Sequence, residues 1–234
     1  MPLRVPRYVD TLASPAARLL SDISALLRGH DPFAPQSRSL PIWRLARIII
    51  AAGLCYGCAM GASSDYPVQL LYSALKLPLL IVTAALVCLP GLLVATAALG
   101  LGRDAAAVVR AILASQATLT IRLASLAPLL LLAYASFGGY AFAVFINGTM
   151  FLVALSASRR ILRRHYAPLV AHAPRHRTLL RLYLVLQIFV SIQTAWVLRP
   201  FVGAPSLPPT FFREGAFTNA YVAVADTVAA LLWR

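Results

Sequence analysis

The chain has 234 residues, of which 60% are hydrophobic and only 12% are charged. Soluble globular domains are roughly 45–50% apolar and about a quarter charged, so this composition excludes a water-soluble fold and predicts an integral membrane protein. The net charge of +14 does not indicate a nucleic-acid partner, because the basic residues lie in the gaps between apolar runs and not on one soluble face.

The first predicted element is a short helix within a cytoplasmic N-terminal segment, residues 1–41. Ser14 and Pro15 are a typical N-cap and first helical position, and Gly29 is a typical stop. Leucine and isoleucine side chains gather on one side of this stretch, and polar side chains, including that of Asp22, lie largely on the other. We therefore predict an amphipathic helix that lies on the membrane surface or on the bundle.

Residues 42–234 form the predicted transmembrane part. Its apolar segments lie at about 42–62, 69–99, 118–137, 140–157, 179–198 and 216–233. Each approaches the ~20 residues that a helix needs to cross a bilayer core of about 30 Å. The segments are continuously apolar and do not alternate, which favours helices over a β-barrel. We predict an all-α, polytopic transmembrane helix bundle with about six spans.

The distribution of basic residues predicts the orientation of the bundle. With a cytoplasmic N-terminus, all but three of the 21 basic residues lie on the cytoplasmic side, and the exceptions are Lys76, Arg199 and Arg213. This asymmetry is the positive-inside signal of an inner-membrane protein with both termini in the cytoplasm. Four or five spans remain possible if the first or last apolar segment is re-entrant.

No catalytic signature is present, and we predict neither an enzyme nor a cofactor. His172 and His176 have the i, i+4 spacing of a metal pair, but Pro174 lies between them, and a solvated basic loop over 158–181 is favoured. Within that loop, Arg159, Arg160, Arg163 and Arg164 are candidates for binding lipid head groups, although a role as topology determinants only is favoured.

Small residues within the spans predict close helix contacts. Gly53, Gly57 and Gly61 lie on one face of the first span, and Gly148 lies in the fourth. The glycine face could pack within one subunit or between subunits. The three cysteines, Cys55, Cys58 and Cys88, are predicted to pack inside helices and not to bind metal or take part in redox chemistry.

Polar residues in the spans identify a candidate intramembrane cluster. Asp226 lies near the middle of the last span, and its expected partners are Lys76 or Arg199. Such a group could be structural glue or part of a proton or ion pathway, or the last span could be displaced and expose Asp226. The uncharged polar residues Asn147, Gln187 and Gln193 are expected to make interhelical hydrogen bonds.

The segment over 195–221 is rich in proline and aromatic residues. Pro200 ends the fifth span, and the aromatic side chains are typical of a membrane interface. Arg213, Glu214 and Asn219 form a candidate outer-loop site beside them. The segment is either an outer cap with a binding edge or a rigid re-entrant turn that closes the bundle.

Residues 73–100 and 196–221 resemble uncharacterised bacterial multi-pass membrane proteins of the Yip1-like type. The resemblance implies membrane residence and no particular activity. It also implies six pattern positions without a catalytic role, namely Lys76, Pro78, Pro90, Arg199, Pro200 and Gly203.

Three functions are compatible with the sequence. The first is a non-enzymatic structural or accessory component of an oligomeric membrane assembly, whose partners are membrane lipids and either further copies of the chain or other membrane subunits. The second is an ion channel or small-solute transporter that uses Lys76, Arg199 and Asp226. The third is a lipid enzyme, which is the weakest because no paired acid and base is visible.

Overall fold

Helices make up most of the computed structural model, which describes residues 14–37, 39–64, 66–203, 208–213 and 215–222. The helices are α1 (Pro15–Arg28), α2 (Ile42–Gly61), α3 (Pro67–Ala98), α4 (Ala105–Ser136), α5 (Tyr140–His172) and α6 (His176–Leu198), with a short 3₁₀ turn at Gly102–Asp104 before α4. No strand occurs among these residues. The prediction of an all-α bundle is confirmed.

Helices α2 to α6 are each long and apolar enough to cross a membrane. They overlap the first five apolar segments, although α4 begins well before its segment and α5 ends well after its segment. Most of the sixth segment, 216–233, lies outside the described residues, as does Asp226. Helix α3 runs unbroken through Pro78 and Pro90. Its 32 residues correspond to about 48 Å at 1.5 Å per residue, so it extends beyond a hydrocarbon core of about 30 Å.

The structure corrects the prediction of a loop over 158–181. Helix α5 continues to His172, and only residues 173–175 separate it from α6. The break falls at Pro174, as expected for a residue that cannot continue a helix. The arginines of this stretch therefore lie on a helical extension of α5.

Helix α1 forms as predicted and docks on the bundle. The hydroxyl of Ser14 accepts a hydrogen bond from the Ala17 amide at 3.2 Å, and Gly29 ends the helix with a φ of 72°. Asp22, predicted on the polar face, is instead buried, and its carboxylate pairs with Arg44 and Arg47 of α2. This ion pair fixes α1 against the start of α2.

In order of packing the helices are α5, α4, α2, α3 and α6, and this row curves so that α5 and α6 come near each other. Helix α2 packs against both α3 and α4, α5 packs on α4, and α6 packs on α3. Helices α5 and α6 hardly touch, although a short turn joins them. We call the end with α1 and the α3–α4 and α5–α6 turns the basic end. The opposite end is the capped end, because the residues described after α6, which we call the cap, lie there.

Glycines bring α2 and α3 into direct contact. A Cβ atom at Gly57 would lie 2.5 Å from the Ser73 carbonyl oxygen, and one at Gly61 would lie 2.6 Å from the Leu70 Cα. The glycine face therefore serves packing within the chain. Gly148 differs from the prediction, because nothing lies within 4 Å of the position that its Cβ would take.

The cysteines are only partly buried. Cys88 is buried as predicted, whereas Cys58 is half-buried and Cys55 is exposed on the surface of α2. The prediction that all three pack inside the bundle is therefore wrong for Cys55. Its position follows from the helical period, because Cys55 points away from the face that Gly53 and Gly57 turn toward α3.

Candidate functional site

Three polar side chains on one face of α3 hold the cap. Lys76 is completely buried, and its ammonium donates to the Pro200 carbonyl at 2.8 Å and to the Thr210 carbonyl at 3.3 Å. Gln69 donates to the Pro200 carbonyl as well, and both Gln69 and Ser73 donate to the Phe201 carbonyl. The backbone carbonyls of a non-helical segment need hydrogen-bond donors inside an apolar bundle, and these three side chains supply them.

The predicted cluster of Lys76, Arg199 and Asp226 is only partly visible. Lys76 contacts the residue next to Arg199, while the Arg199 guanidinium stacks on the Trp196 ring at 3.4 Å. Asp226 lies outside the described residues, so its pairing with either cation stays a prediction. The Lys76 ammonium is enclosed by carbonyl oxygens and the Phe211 ring, which argues for a structural role at this position.

The predicted outer-loop site is divided. Arg213 lines a cavity between α5 and α6. The Asn219 side chain accepts a hydrogen bond from the Tyr221 amide at 2.9 Å and so shapes a local turn. Glu214 lies outside the described residues. Of this trio, Arg213 is therefore the residue that the structure places at a cavity.

The main concave feature of the bundle is a cleft between α5 and α6. A cavity of about 590 Å³ occupies its half toward the capped end, and one of about 270 Å³ occupies its half toward the basic end. The two cavities share lining residues at the middle of the cleft, namely Leu80, Gly148, Phe151, Ser191 and Ile192. We therefore treat them as one continuous feature, the α5–α6 cleft.

The cleft opens sideways to the surface of the bundle. Val144 of α5 and both Ile188 and Ile192 of α6 line it and are exposed. Its back wall is formed by α3 and α4, which contribute Leu80 and Leu119. Because the walls are aliphatic and open onto the membrane-facing surface, the cleft is accessible from the bilayer.

Polar groups lie deep in the half of the cleft toward the basic end. Gln116 of α4 donates to the Tyr183 hydroxyl of α6 at 3.0 Å, which ties these two helices together. Gln187 donates to Ser191 within α6, and its buried carbonyl oxygen has no partner in the part of the chain that the structure describes. The expected interhelical bond of Gln187 is not found among the described residues, whereas Gln116 makes an interhelical bond that the sequence pattern does not predict.

The other two predicted interhelical residues behave differently. Asn147 is buried and bonds to Tyr56 of α2 and Tyr134 of α4, so its interhelical role is confirmed. Gln193 instead bonds to the backbone of the cap, to the Thr218 carbonyl and the Ala220 amide, both at 3.0 Å. It thereby holds the last described residues against α6.

Arginines stand at both ends of the cleft. Arg159 lines the end toward the basic end, and Arg199 and Arg213 line the end toward the capped end. In the part of the chain that the structure describes, no carboxylate pairs with any of them, because the ion pairs there use Asp22 and Asp104. The cleft thus combines apolar walls with cationic ends.

The four arginines predicted to bind head groups do not form one site. All four are exposed along the α5 extension. Arg160 lines a separate pocket of about 350 Å³ with Arg122, and Arg164 lies over Gly29 at the end of α1. They spread over the basic end, which is compatible with general attraction to anionic lipid.

Two buried basic residues fasten the segment between α1 and α2, and neither is predicted as a site residue. Arg110 donates to the Ser39 carbonyl at 2.8 Å, and His165 contacts the Phe33 carbonyl at 3.1 Å.

His176 is buried and pairs with Asp104 at 2.9 Å, so it does not form a metal pair with His172. Among the described residues, no group of three or more potential ligands is placed to hold a metal.

Comparison with protein families, curated proteins and solved structures finds no significant match to this chain. The resemblance to Yip1-like membrane proteins therefore stays a prediction. The architecture itself defines the class, an all-α bundle with the length and apolar character of a multi-pass membrane protein.

Proposed function

We propose that this protein is a non-enzymatic multi-pass membrane protein that binds the hydrocarbon chain of a bilayer amphiphile in the α5–α6 cleft. One observation supports the proposal above all, namely that two adjoining cavities with aliphatic walls lie between two spanning helices that hardly touch. Water in such a space has few polar partners, whereas a hydrocarbon chain gains about 0.8 kcal/mol for each methylene that it buries.

The length of the cleft also suits a lipid chain. It is lined along α5 from Tyr140 to Arg159, which corresponds to about 28 Å along the helix axis. This is close to the thickness of a bilayer core, about 30 Å. A chain that enters sideways from the membrane would therefore remain at the depth that it occupies in the bilayer.

The channel alternative is supported less well. It relies on Lys76 as a group that lines a path, but this side chain is completely buried and donates to two backbone carbonyls. A membrane enzyme would need an acid and base pair at the cleft. The described side chains that line the cleft offer arginine, glutamine, asparagine, serine and tyrosine, and no carboxylate or histidine.

Native mass spectrometry of the purified protein tests the proposal, with Gly148→Phe as the variant. The phenyl ring would occupy the middle of the cleft, because Gly148 lines both cavities and nothing lies within 4 Å of its Cβ position. Excluding about two methylenes of a chain costs roughly 1.6 kcal/mol, so the fraction of protein that carries lipid should fall by about tenfold.

Gly91→Phe is the matched control. Gly91 lies in α3, is exposed, and also has nothing within 4 Å of its Cβ position, but it does not line the cleft. This control should retain the lipid that the wild-type protein carries. Equal lipid retention by both variants and the wild-type protein would contradict binding in the cleft.

Assembly with other subunits is a second candidate, favoured by the exposure of α6. Only 6% of the apolar window of α6 is buried within the chain, compared with 44% for α2. A structural or accessory component of an oligomer would cover this face with a second copy or another membrane subunit. The same mass spectra distinguish this candidate, because it predicts a mass that is a multiple of 25.2 kDa or includes another protein.

A further inference from the structure

Two arginines converge at the wide end of the α5–α6 cleft. Arg199 directly follows α6, Arg213 lies in the cap, and both half-buried side chains line the cavity of about 590 Å³. The other walls of this cavity are mainly aliphatic and aromatic, with Asn147 and Ser191 as uncharged polar groups. Two positive charges are thus held at one end of an apolar space.

The hydrogen-bonding capacity of Arg199 is not used up by the described residues. Its guanidinium carbon lies 3.4 Å from the centroid of the Trp196 ring, and among the described residues its buried Nε has no hydrogen-bond partner. The neighbouring cation, Lys76, differs because its ammonium donates hydrogen bonds to backbone carbonyls. A partly buried guanidinium with an open donor is stabilised by an anion that accepts from it.

We infer that Arg199 and Arg213 bind the phosphate of an anionic membrane lipid whose chain lies in the cleft, an inference that rests on the proposed function. Guanidinium groups match phosphate oxygens with paired hydrogen bonds. Arg199 stands where the apolar run of α6 ends, which is the level at which a lipid phosphate meets the hydrocarbon. The apolar cavity that continues from this point favours a lipid over a free phosphate ion.

The test offers the purified wild-type protein equal amounts of phosphatidylglycerol and phosphatidylcholine with identical chains, and measures the bound lipids by native mass spectrometry. The wild-type protein should prefer phosphatidylglycerol. The double variant Arg199→Gln/Arg213→Gln should lower this preference by about tenfold, because two charge-assisted hydrogen-bonding groups are removed. The total amount of bound lipid should change much less, since the cleft itself is intact.

The matched control is Arg103→Gln/Arg177→Gln, which removes the same charge from exposed positions at the basic end that line no part of the cleft. It should keep the preference for phosphatidylglycerol. An equal loss in both double variants would overturn the inference, since net charge and not this site would then set the preference. An unchanged preference in Arg199→Gln/Arg213→Gln would overturn it as well.

Two further measurements keep the outcomes distinct. Arg213→Gln alone leaves the Arg199–Trp196 stack in place, so it tests the site if the double variant does not fold, and it should lower the preference by at least about threefold. Glycerol 1-phosphate at millimolar concentration should not displace the lipid, and displacement would indicate a site for free phosphate. Retention of lipid without head-group preference overturns only this inference, whereas absence of retained lipid from the wild-type protein overturns the proposed function.

Discussion

The α2–α3 pair and the α5–α6 pair show two opposite uses of glycine in one bundle. Along α2, Gly53, Gly57 and Gly61 each face the backbone or a proline of α3, so the two helices are in direct contact. In α5, Gly148 lines the cleft toward α6, and nothing lies within 4 Å of its Cβ position. Three glycines at intervals of four residues predict a close contact, whereas a single glycine in an apolar span does not distinguish a contact from a gap.

The largest effect is expected for Gly57→Ala. The new methyl group would meet the Ser73 carbonyl oxygen at 2.5 Å and the Ala74 Cα at 2.7 Å, and these backbone atoms cannot move aside without separating the helices. The free energy of unfolding should fall by about 2 kcal/mol, as is usual for overpacking. Titration of the protein with a denaturing detergent in mixed micelles measures this change. A stability equal to that of the wild-type protein would show that α2 and α3 are farther apart.

A smaller effect is expected for Lys76→Met, which keeps the length of the side chain but removes its donors. The Pro200 and Thr210 carbonyls would lose a charged hydrogen-bond donor. Because the cost of burying the ammonium also disappears, the net loss in the stability of this attachment should be about 1 kcal/mol. Amide hydrogen exchange within 199–203 should accelerate by about fivefold. Exchange at the α3–α4 turn, at the basic end, is the internal control, and a uniform acceleration of both regions would contradict a specific attachment of the cap.

The smallest effect, with the opposite sign, is expected for Gly148→Ala. No atom lies near the new methyl group, and replacement of glycine inside a helix gains about 0.5–1 kcal/mol because the unfolded chain loses conformational freedom. The same detergent titration should therefore show a slight stabilisation. Gly91→Ala should behave alike, because its surroundings are equally open. A loss of stability at Gly148 alone would mean that α5 and α6 meet in solution.

The sequence predicted most of the helices, but not the full length of α5 or the packing partners of each helix. Apolar runs of about 20 residues predicted each spanning helix, because the thickness of a bilayer fixes the length that a helix must have. Ser14, Pro15 and Gly29 predicted α1 to the residue, since capping depends on local hydrogen bonds. The extension of α5 through Arg159 and Arg164 was not predicted, because a cluster of arginines is compatible with a helix as well as with a loop.

The candidate site could be predicted only in part. Arg199 and Arg213 were both singled out from the sequence, but for separate sites, because nothing local shows that the cap folds back toward α5. Lys76 was expected to pair with an acid, yet among the described residues it bonds to backbone carbonyls. Asp22 was placed on the polar face of α1, and the helical period alone could not reveal that α2 offers two arginines to it.

The short α5–α6 turn has a geometric consequence. Helices α5 and α6 are joined over three residues and are supported by different neighbours, and the cavity between them is about 270 Å³ in the half near their turn and about 590 Å³ in the half at the capped end. A space of these proportions suits a molecule that is wider at the end that lies toward the capped end. The difference in volume would therefore favour one orientation of a bound molecule over the other, independently of its charge.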